Sequence, residues 1–230
     1  MRKPLFENDT LYHLYNRGVE KRTTFTNQAD YMRFIYGLHE FNDEVPAEES
    51  YYKRLLFKSS EVQPRRIDRD MLVEIVAFCL MPNHFHLLLR QLHTNGIVKF
   101  MQKLGTGYTM YFNKKYQRVG SLFQGRFKAV TIKTHEHFLY LPHYIHLNPI
   151  TMMQKPLKNN ARAIQQKLNF LKSYRWSSYR DFIGEKNFLS PLSHMLIQEL
   201  YGTNEEYKQS ITEWLRDVKN DELKEVVFDE

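Results

Sequence analysis

The first residues in this chain whose type and spacing suit chemistry are two histidines one residue apart, in Met81-Pro82-Asn83-His84-Phe85-His86. Side chains at i and i+2 of a strand point to one face with their Cα atoms about 6.5 Å apart, so both imidazoles can reach one metal ion. Phe85 then points the other way, which separates a chemical face from a packing face. An isolated pair of this kind is more often two surface or cross-strand histidines, and alone it carries little. The stretch His143-Tyr144-Ile145-His146-Leu147-Asn148-Pro149 offers what the pair lacks. Tyr144 and Asn148 stand at i and i+4, so a single helix can aim a phenol at a phosphate and an amide oxygen at the metal holding it. His146 is rotated about 200° from Tyr144 on such a helix, which favours Asn148 over His146 as third ligand.

The chemistry open to this set is phosphoryl transfer to tyrosine. A phenol with a pKa near 10 is mostly neutral at pH 7, so it needs a proton acceptor or a polarised target. A divalent ion on the phosphate oxygens supplies polarisation and orientation. Attack would leave a phosphotyrosyl DNA end and a free hydroxyl, conserving the bond for rejoining without ATP. In keeping with that, the sequence has no G-x-x-x-x-G-K-[ST] loop, no G-x-S-x-G elbow and no cysteine cluster.

Elements able to position these residues are legible around them. Leu11 to Arg17 reads as a strand, and Gln28 to Phe41 as a helix with Tyr31, Phe34, Ile35 and Leu38 at helical spacing. Residues 42–70 carry mixed charges, Pro46, Pro64 and no sustained period, which predicts a long connection of the length of an insertion, with a short helix near Tyr51 to Phe57. Leu72 to Leu80 and His84 to Gln91 form a hairpin about Met81-Pro82-Asn83. Gly96 to Arg118 is an amphipathic helix with Lys99, Lys103, Lys114 and Lys115 outside its apolar stripe. Arg126 to Ile132 is a further strand, and Thr134 caps a helix running toward Asn148. Within that helix Pro142 predicts a kink or a fresh start, and Pro149 disfavours helical geometry at Asn148. Residues 160–182 hold another helix and the segment SYRWSSYRDF, and the tail has a helical pattern around Ile211, Trp214, Leu215 and Val218. The order β α β β α β α fits an α+β fold, a ferredoxin-like sandwich of antiparallel sheet with helices on one face, the other sheet face being free for a ligand.

Composition narrows the setting. The formal charge is +7, but residues 191–230 hold 4 Lys/Arg against 10 Asp/Glu, so residues 1–190 hold 29 against 16 and a net of +13. A basic body rich in Tyr and Phe suits nucleic acid, because Lys and Arg displace phosphate counterions and aromatic faces stack on unpaired bases. A solvated basic surface has the same composition. The lone cysteine, Cys79, has no partner for an intramolecular disulfide, the start MRKPLFENDT lacks an apolar signal region, and no apolar run approaches the ~20 residues of a membrane span. These features predict a soluble protein of the reducing cytoplasm with no membrane partner.

Together the motifs resemble those of the REP-associated tyrosine transposases of the single-tyrosine HUH endonuclease superfamily, which carry a transposase IS200-like domain. The resemblance rests on Tyr12-His13-Leu14-Tyr15-Asn16-Arg17-Gly18, Met81-Pro82-Asn83-His84-Phe85-His86-Leu87-Leu88, Leu122-Phe123-Gln124-Gly125-Arg126-Phe127-Lys128, Tyr144-Ile145-His146-Leu147-Asn148-Pro149 and Trp176-Ser177-Ser178-Tyr179, in order over roughly residues 8–182. It implies a ferredoxin-like fold, Mg2+ or Mn2+, and cleavage of single-stranded DNA beside a hairpin through a 5′-phosphotyrosyl intermediate. By position, Tyr144 matches the nucleophile, His84 and His86 the metal pair, and Asn148 the third ligand. Arg126 and Lys128 fall in the family's basic strand, and with Arg17, Lys103 and Lys115 they are the expected DNA contacts.

The expected organisation is a transposase domain over 1–182, with 42–70 as an insertion, and an acidic helical C-terminal extension over 183–230. A non-catalytic nucleic-acid-binding module, or a nickase that starts replication or transfer, would use the same basic, aromatic surface. The combination of His84, His86 and Tyr144 favours a strand-transferring enzyme, since binding alone would not need it. A monomer and a homodimer with shared sites would use the same residues.

Overall fold

The computed structural model describes residues 4–45, 69–153, 160–185, 187, 192, 198–199 and 201–217. In chain order they form strand β1 (Leu11–Arg17), helix α1 (Gln28–Glu40), strands β2 (Val73–Met81) and β3 (His84–Gln91), helix α2 (Gly96–Lys115), strand β4 (Lys128–Thr131) and helix α3 (His135–Leu147). A 3-10 turn (Asn148–Met152) and helices α4 (Ala161–Ser173), α5 (Tyr179–Phe182) and α6 (Asn204–Asp217) follow. The sheet has the order β2-β3-β1-β4 and is antiparallel throughout. This is the ferredoxin-like α+β arrangement that the element order predicts. The short helix expected near Tyr51 to Phe57 lies outside the described residues. Among the described residues no helix is long and apolar enough to cross a membrane.

Alternation along β3 divides the molecule into two layers. Phe85, Leu87 and Leu89 face α1 and α2, with the Phe85 ring 5.0 Å from Phe34 and Phe34 itself 5.1 Å from Tyr108. His84 and His86 face the opposite side. That side is not free, because α3 lies across it and brings the Tyr144 ring to 5.5 Å from His86. Helices therefore cover both faces, α1 and α2 one and α3 the other.

Tight turns fix where the histidine pair emerges. Pro82 and Asn83 alone connect β2 to β3, and their carbonyls accept from Thr24, Phe25 and Gly18 N–H groups. Gly18 is required by space: a Cβ there would meet the Arg22 carbonyl oxygen at 2.3 Å. At the other end of β2, Asn42 acts as a side-chain strand partner, its amide donating to Val73 O at 2.8 Å and accepting from Val73 N at 2.9 Å. That pair of bonds closes the long connection at its base.

No fresh helix starts at Pro142, which sits inside an α-helix running from His135 to Leu147. That helix ends before Pro149 as expected, but Asn148, its C-cap and the first residue of the 3-10 turn, keeps right-handed helical angles (φ −45°, ψ −44°), contrary to the extended geometry expected there. Proline at the start of a turn needs no N–H donor, so the chain passes Pro149 without unwinding Asn148. Thr134 caps the helix as expected, accepting from His137 N–H.

A buried carboxylate ties α1 to α2. Asp30 is fully buried and accepts from Lys115 Nζ at 2.6 Å, Tyr116 Oη at 2.7 Å, Tyr111 Oη at 3.0 Å and the Thr26 N–H at 2.9 Å. Burial pushes this carboxyl up, but the four hydrogen bonds outweigh it and hold it below the usual aspartate value. Such a group stabilises the fold above its unfolded pKa, and the contribution is lost as pH falls through the lower folded value. Asp30→Asn should therefore cost about 2–4 kcal/mol at pH 7. Chemical denaturation at stepwise lower pH should show wild type and variant converging below about pH 4, and a gap independent of pH would refute this account.

Candidate metal and nucleophile site

β3 supplies two imidazoles whose protonation is set by their neighbours. His84 Nδ1 stands 2.7 Å from Asn83 Oδ1; since the amide oxygen only accepts, the ring proton lies on Nδ1 and Nε2 keeps its lone pair. Burial lowers the His84 pKa to about 4, aided by the charge of Arg17 and opposed by the side chain of Asn148. His86 is 1% exposed, and its Nδ1 lies 2.9 Å from His13 Nε2. Burial, then His13, His84 and Arg17, hold its pKa well below the ordinary value. Burial and then His137 bring His13 to about 3. All three rings are thus neutral at pH 7, the form in which imidazole binds a metal.

Helix α3 brings its own groups against this strand. The Tyr144 ring is edge-on to His13 at 5.7 Å and to His86 at 5.5 Å, and lies 6.3 Å from Tyr140. One turn on, the Asn148 amide donates to Tyr144 O at 2.9 Å. Two buried side-chain atoms of this cluster have no hydrogen-bond partner, His86 Nε2 and Asn148 Oδ1. A buried polar atom left unpaired costs about 1–3 kcal/mol. In the tautomer in which His86 donates from Nδ1 to His13, both orphans are lone-pair acceptors, and with His84 Nε2 they make three neutral donors suited to a cation. Among the described residues no group of three or more His, Cys, Asp or Glu side chains is placed to hold a metal. The set is therefore two imidazoles and an amide oxygen, and the residues fit a divalent ion that completes its shell with water and phosphate oxygens.

His146, two residues from Tyr144, is fully buried on the far side of α3 against Tyr207 and Ser178. The five expected DNA-contacting cations divide. Arg17 pairs with His84 across β1 and β3, while Lys128 pairs with Tyr15, which in turn pairs with His86. Both thus stand on the histidine face, Lys128 exposed with its ammonium 5.4 Å from the Tyr15 ring centre. Arg126 precedes β4, which begins two residues later than the predicted strand, and with Asn16, Phe123 and Thr106 it lines an open groove of about 690 Å³ on the other sheet face. Lys103 and Lys115 are not brought to the site. Lys103 Nζ donates to the Asp43, Glu44 and Val45 carbonyls, and Lys115 to Asp30.

His13 is the residue that sequence reasoning missed. The signal was present: Leu11, His13, Tyr15 and Arg17 share a strand face by two-residue alternation, so a histidine there sits among polar and aromatic neighbours. What aims it at His86 is the β1–β3 register, a pairing over 73 residues of sequence separation.

Residues 52–148 match the family described as Transposase IS200 like. No curated protein matches the chain. Among solved structures, "Structure of the REP associates tyrosine transposase bound to a REP hairpin" aligns with 82% of this chain and 87% of that chain, at a TM-score of 0.51 and 10% sequence identity. At that identity the likeness is one of fold. Residues 52–148 are thus similar in sequence to the IS200-like transposases, within a chain whose fold is similar to that of a REP-associated tyrosine transposase.

Proposed function

We propose that this protein cleaves and rejoins single-stranded DNA beside a hairpin, with Tyr144 as nucleophile and His84, His86 and Asn148 as the protein ligands of Mg2+ or Mn2+. The observation that carries the reading is the pair of buried polar atoms without a hydrogen-bond partner, His86 Nε2 and Asn148 Oδ1, on the two segments that meet at Tyr144. The similarity of residues 52–148 to the IS200-like transposases supports the reaction class. The hairpin in the structural relative, the net charge of +13 over residues 1–190 and the exposed Lys128 support DNA as partner. A cytoplasmic setting fits this reading.

The chain's own groups divide the work. Arg17 and Lys128 flank the histidine strand and hold the DNA backbone over it, Arg126 extending the basic surface toward the adjoining face. Helix α3 aims Tyr144 while its next turn presents Asn148, so one rigid element sets the distance between phenol and phosphate. Attack forms a bond from Tyr144 Oη to phosphorus and breaks the bond from phosphorus to the 3′ oxygen; the phenol loses a proton and the departing oxygen gains one. The bound ion, when present, neutralises charge on the phosphate oxygens. Its protein donors being neutral, the DNA phosphate supplies the negative charge that strengthens its binding.

Incubating the protein with hairpin-bearing single-stranded DNA and Mn2+ should give a protein–DNA adduct that survives denaturation, and EDTA should prevent it. Hairpin binding without an adduct, across a panel of hairpins, would favour the non-catalytic binding module instead.

A further inference from the structure

Helix α3 is held from two sides. Tyr144 and Asn148 face the histidine strand, whereas His143 and His146, at i and i+3, face α6 and the segment before it. Tyr207 Oη lies 2.6 Å from His146 Nδ1, and Ser210 Oγ lies 2.9 Å from His143 Nε2. His143 Nδ1 bonds to Leu139 O at 2.9 Å, and that carbonyl also accepts from Tyr201 Oη. Because Nδ1 must then carry the proton, His143 Nε2 accepts from the Ser210 hydroxyl. On the other side of His146, Nε2 lies 2.7 Å from Ser178 Oγ, and Ser178 Oγ accepts from Phe78 N–H at 2.9 Å. Phe78 precedes Cys79, the cross-strand partner of His86. A continuous chain of hydrogen bonds therefore runs from α6 through α3 to the strand beside the metal pair.

Apolar residues at positions 143, 146, 207 and 210 could have joined α3 to α6, but a greasy contact leaves a helix free to slide and turn. Hydrogen-bonded imidazoles fix rotation and height, because any slip leaves buried polar groups unpaired. α3 has particular need of this. Pro142 brings no N–H to the Phe138 carbonyl, and the first turns of the helix are exposed or half-buried. A tyrosine hydroxyl stands roughly 9 Å from its helix axis, so a turn of about 20° moves it by about 3 Å, and a misplacement of about 1 Å can cost on the order of 100-fold in rate.

We infer that Tyr207 and Ser210 of the C-terminal helix, acting through His146 and His143, are positioning residues that set the rotation of the helix bearing Tyr144. The inference rests on Tyr144 being the nucleophile. Its test uses the full chain, with Tyr207→Phe, Ser210→Ala and, as a control for simple destabilisation, Asn42→Ala at the remote base of β2. Tyr207→Phe should slow adduct formation at saturating hairpin DNA and Mn2+ by about 10- to 100-fold, with the hairpin Kd within about twofold of wild type. Amide hydrogen exchange over 141–148 should quicken by about tenfold. Ser210→Ala should give a smaller change in the same direction, and it decides the matter if Tyr207→Phe does not fold. Asn42→Ala should lower the melting temperature without slowing the adduct. Unchanged exchange over 141–148 in the variants, or adduct rates that track melting temperature across all three, would overturn the inference. If wild type itself forms no adduct, the functional reading fails, and the exchange data still decide whether α6 sets the helix.

Discussion

Tyr144→Phe should abolish the covalent adduct, by on the order of 10⁴-fold or more, while leaving folding and hairpin binding close to wild type. The substitution removes one oxygen, the atom that would bond to phosphorus. The ring contacts are kept, including the edge-on ones with His13 and His86 and the stack on Tyr140. Loss of a single hydroxyl at a position 6% exposed costs at most about 1.5 kcal/mol. Mn2+ binding should persist, because the phenol is not among the proposed ligands. Adduct formation at the wild-type rate would sink the assignment. Tyr140 is then the alternative, one turn earlier on the same helix and half-buried, and Tyr140→Phe alone should leave adduct formation intact if Tyr144 is the nucleophile. Quantifying the adduct on denaturing gels, with fluorescent hairpin DNA and a parallel binding titration, separates these outcomes.

How far the site could be read in advance depended on how local its determinants are. β1, β3 and the start of α1 fall where alternation and helical spacing put them, because those patterns reflect only near neighbours along the chain. The i,i+4 relation of Tyr144 and Asn148 is equally local, and both lie on the side of α3 that meets the sheet. The fresh helix start expected at Pro142 failed for the opposite reason. Pro142 does deprive Phe138 of a donor, but contacts from distant residues hold the helix together around it, Tyr201 at Leu139 O and Tyr207 at His146 among them. Lys103 and Lys115 show the same limit. A helical stripe says that they lie outside the apolar face, but not that the chain leaving α1 presents its carbonyls to Lys103, or that Asp30 lies beneath Lys115. His13 needed the register of a non-local strand pair. Covering both sheet faces likewise depends on where α3 docks, which no pattern within α3 records.

His86→Ala should lower Mn2+ affinity by about 100-fold or more and remove adduct formation with it, while hairpin affinity stays within a few-fold of wild type. The metal effect follows from losing one of three donors in a set with no carboxylate to compensate. DNA binding should survive because Arg17 and Lys128, the proposed backbone contacts, come from other strands than His86. The substitution has a second consequence: it strips His13 Nε2 of its partner in a position 6% exposed, at a cost of about 1–3 kcal/mol besides the cavity left behind. A drop in melting temperature is therefore expected and does not by itself mean that His86 is structural. His84→Ala resolves the ambiguity. His84 is only partly buried and its Nδ1 bonds to the adjacent Asn83, so its removal should cost less stability yet as much metal affinity. Mn2+ titration followed by electron paramagnetic resonance, run on both variants below their melting temperatures, reads the two effects apart. Equal loss of metal affinity with unequal loss of stability supports a shared metal site; metal affinity that falls only in proportion to stability refutes it.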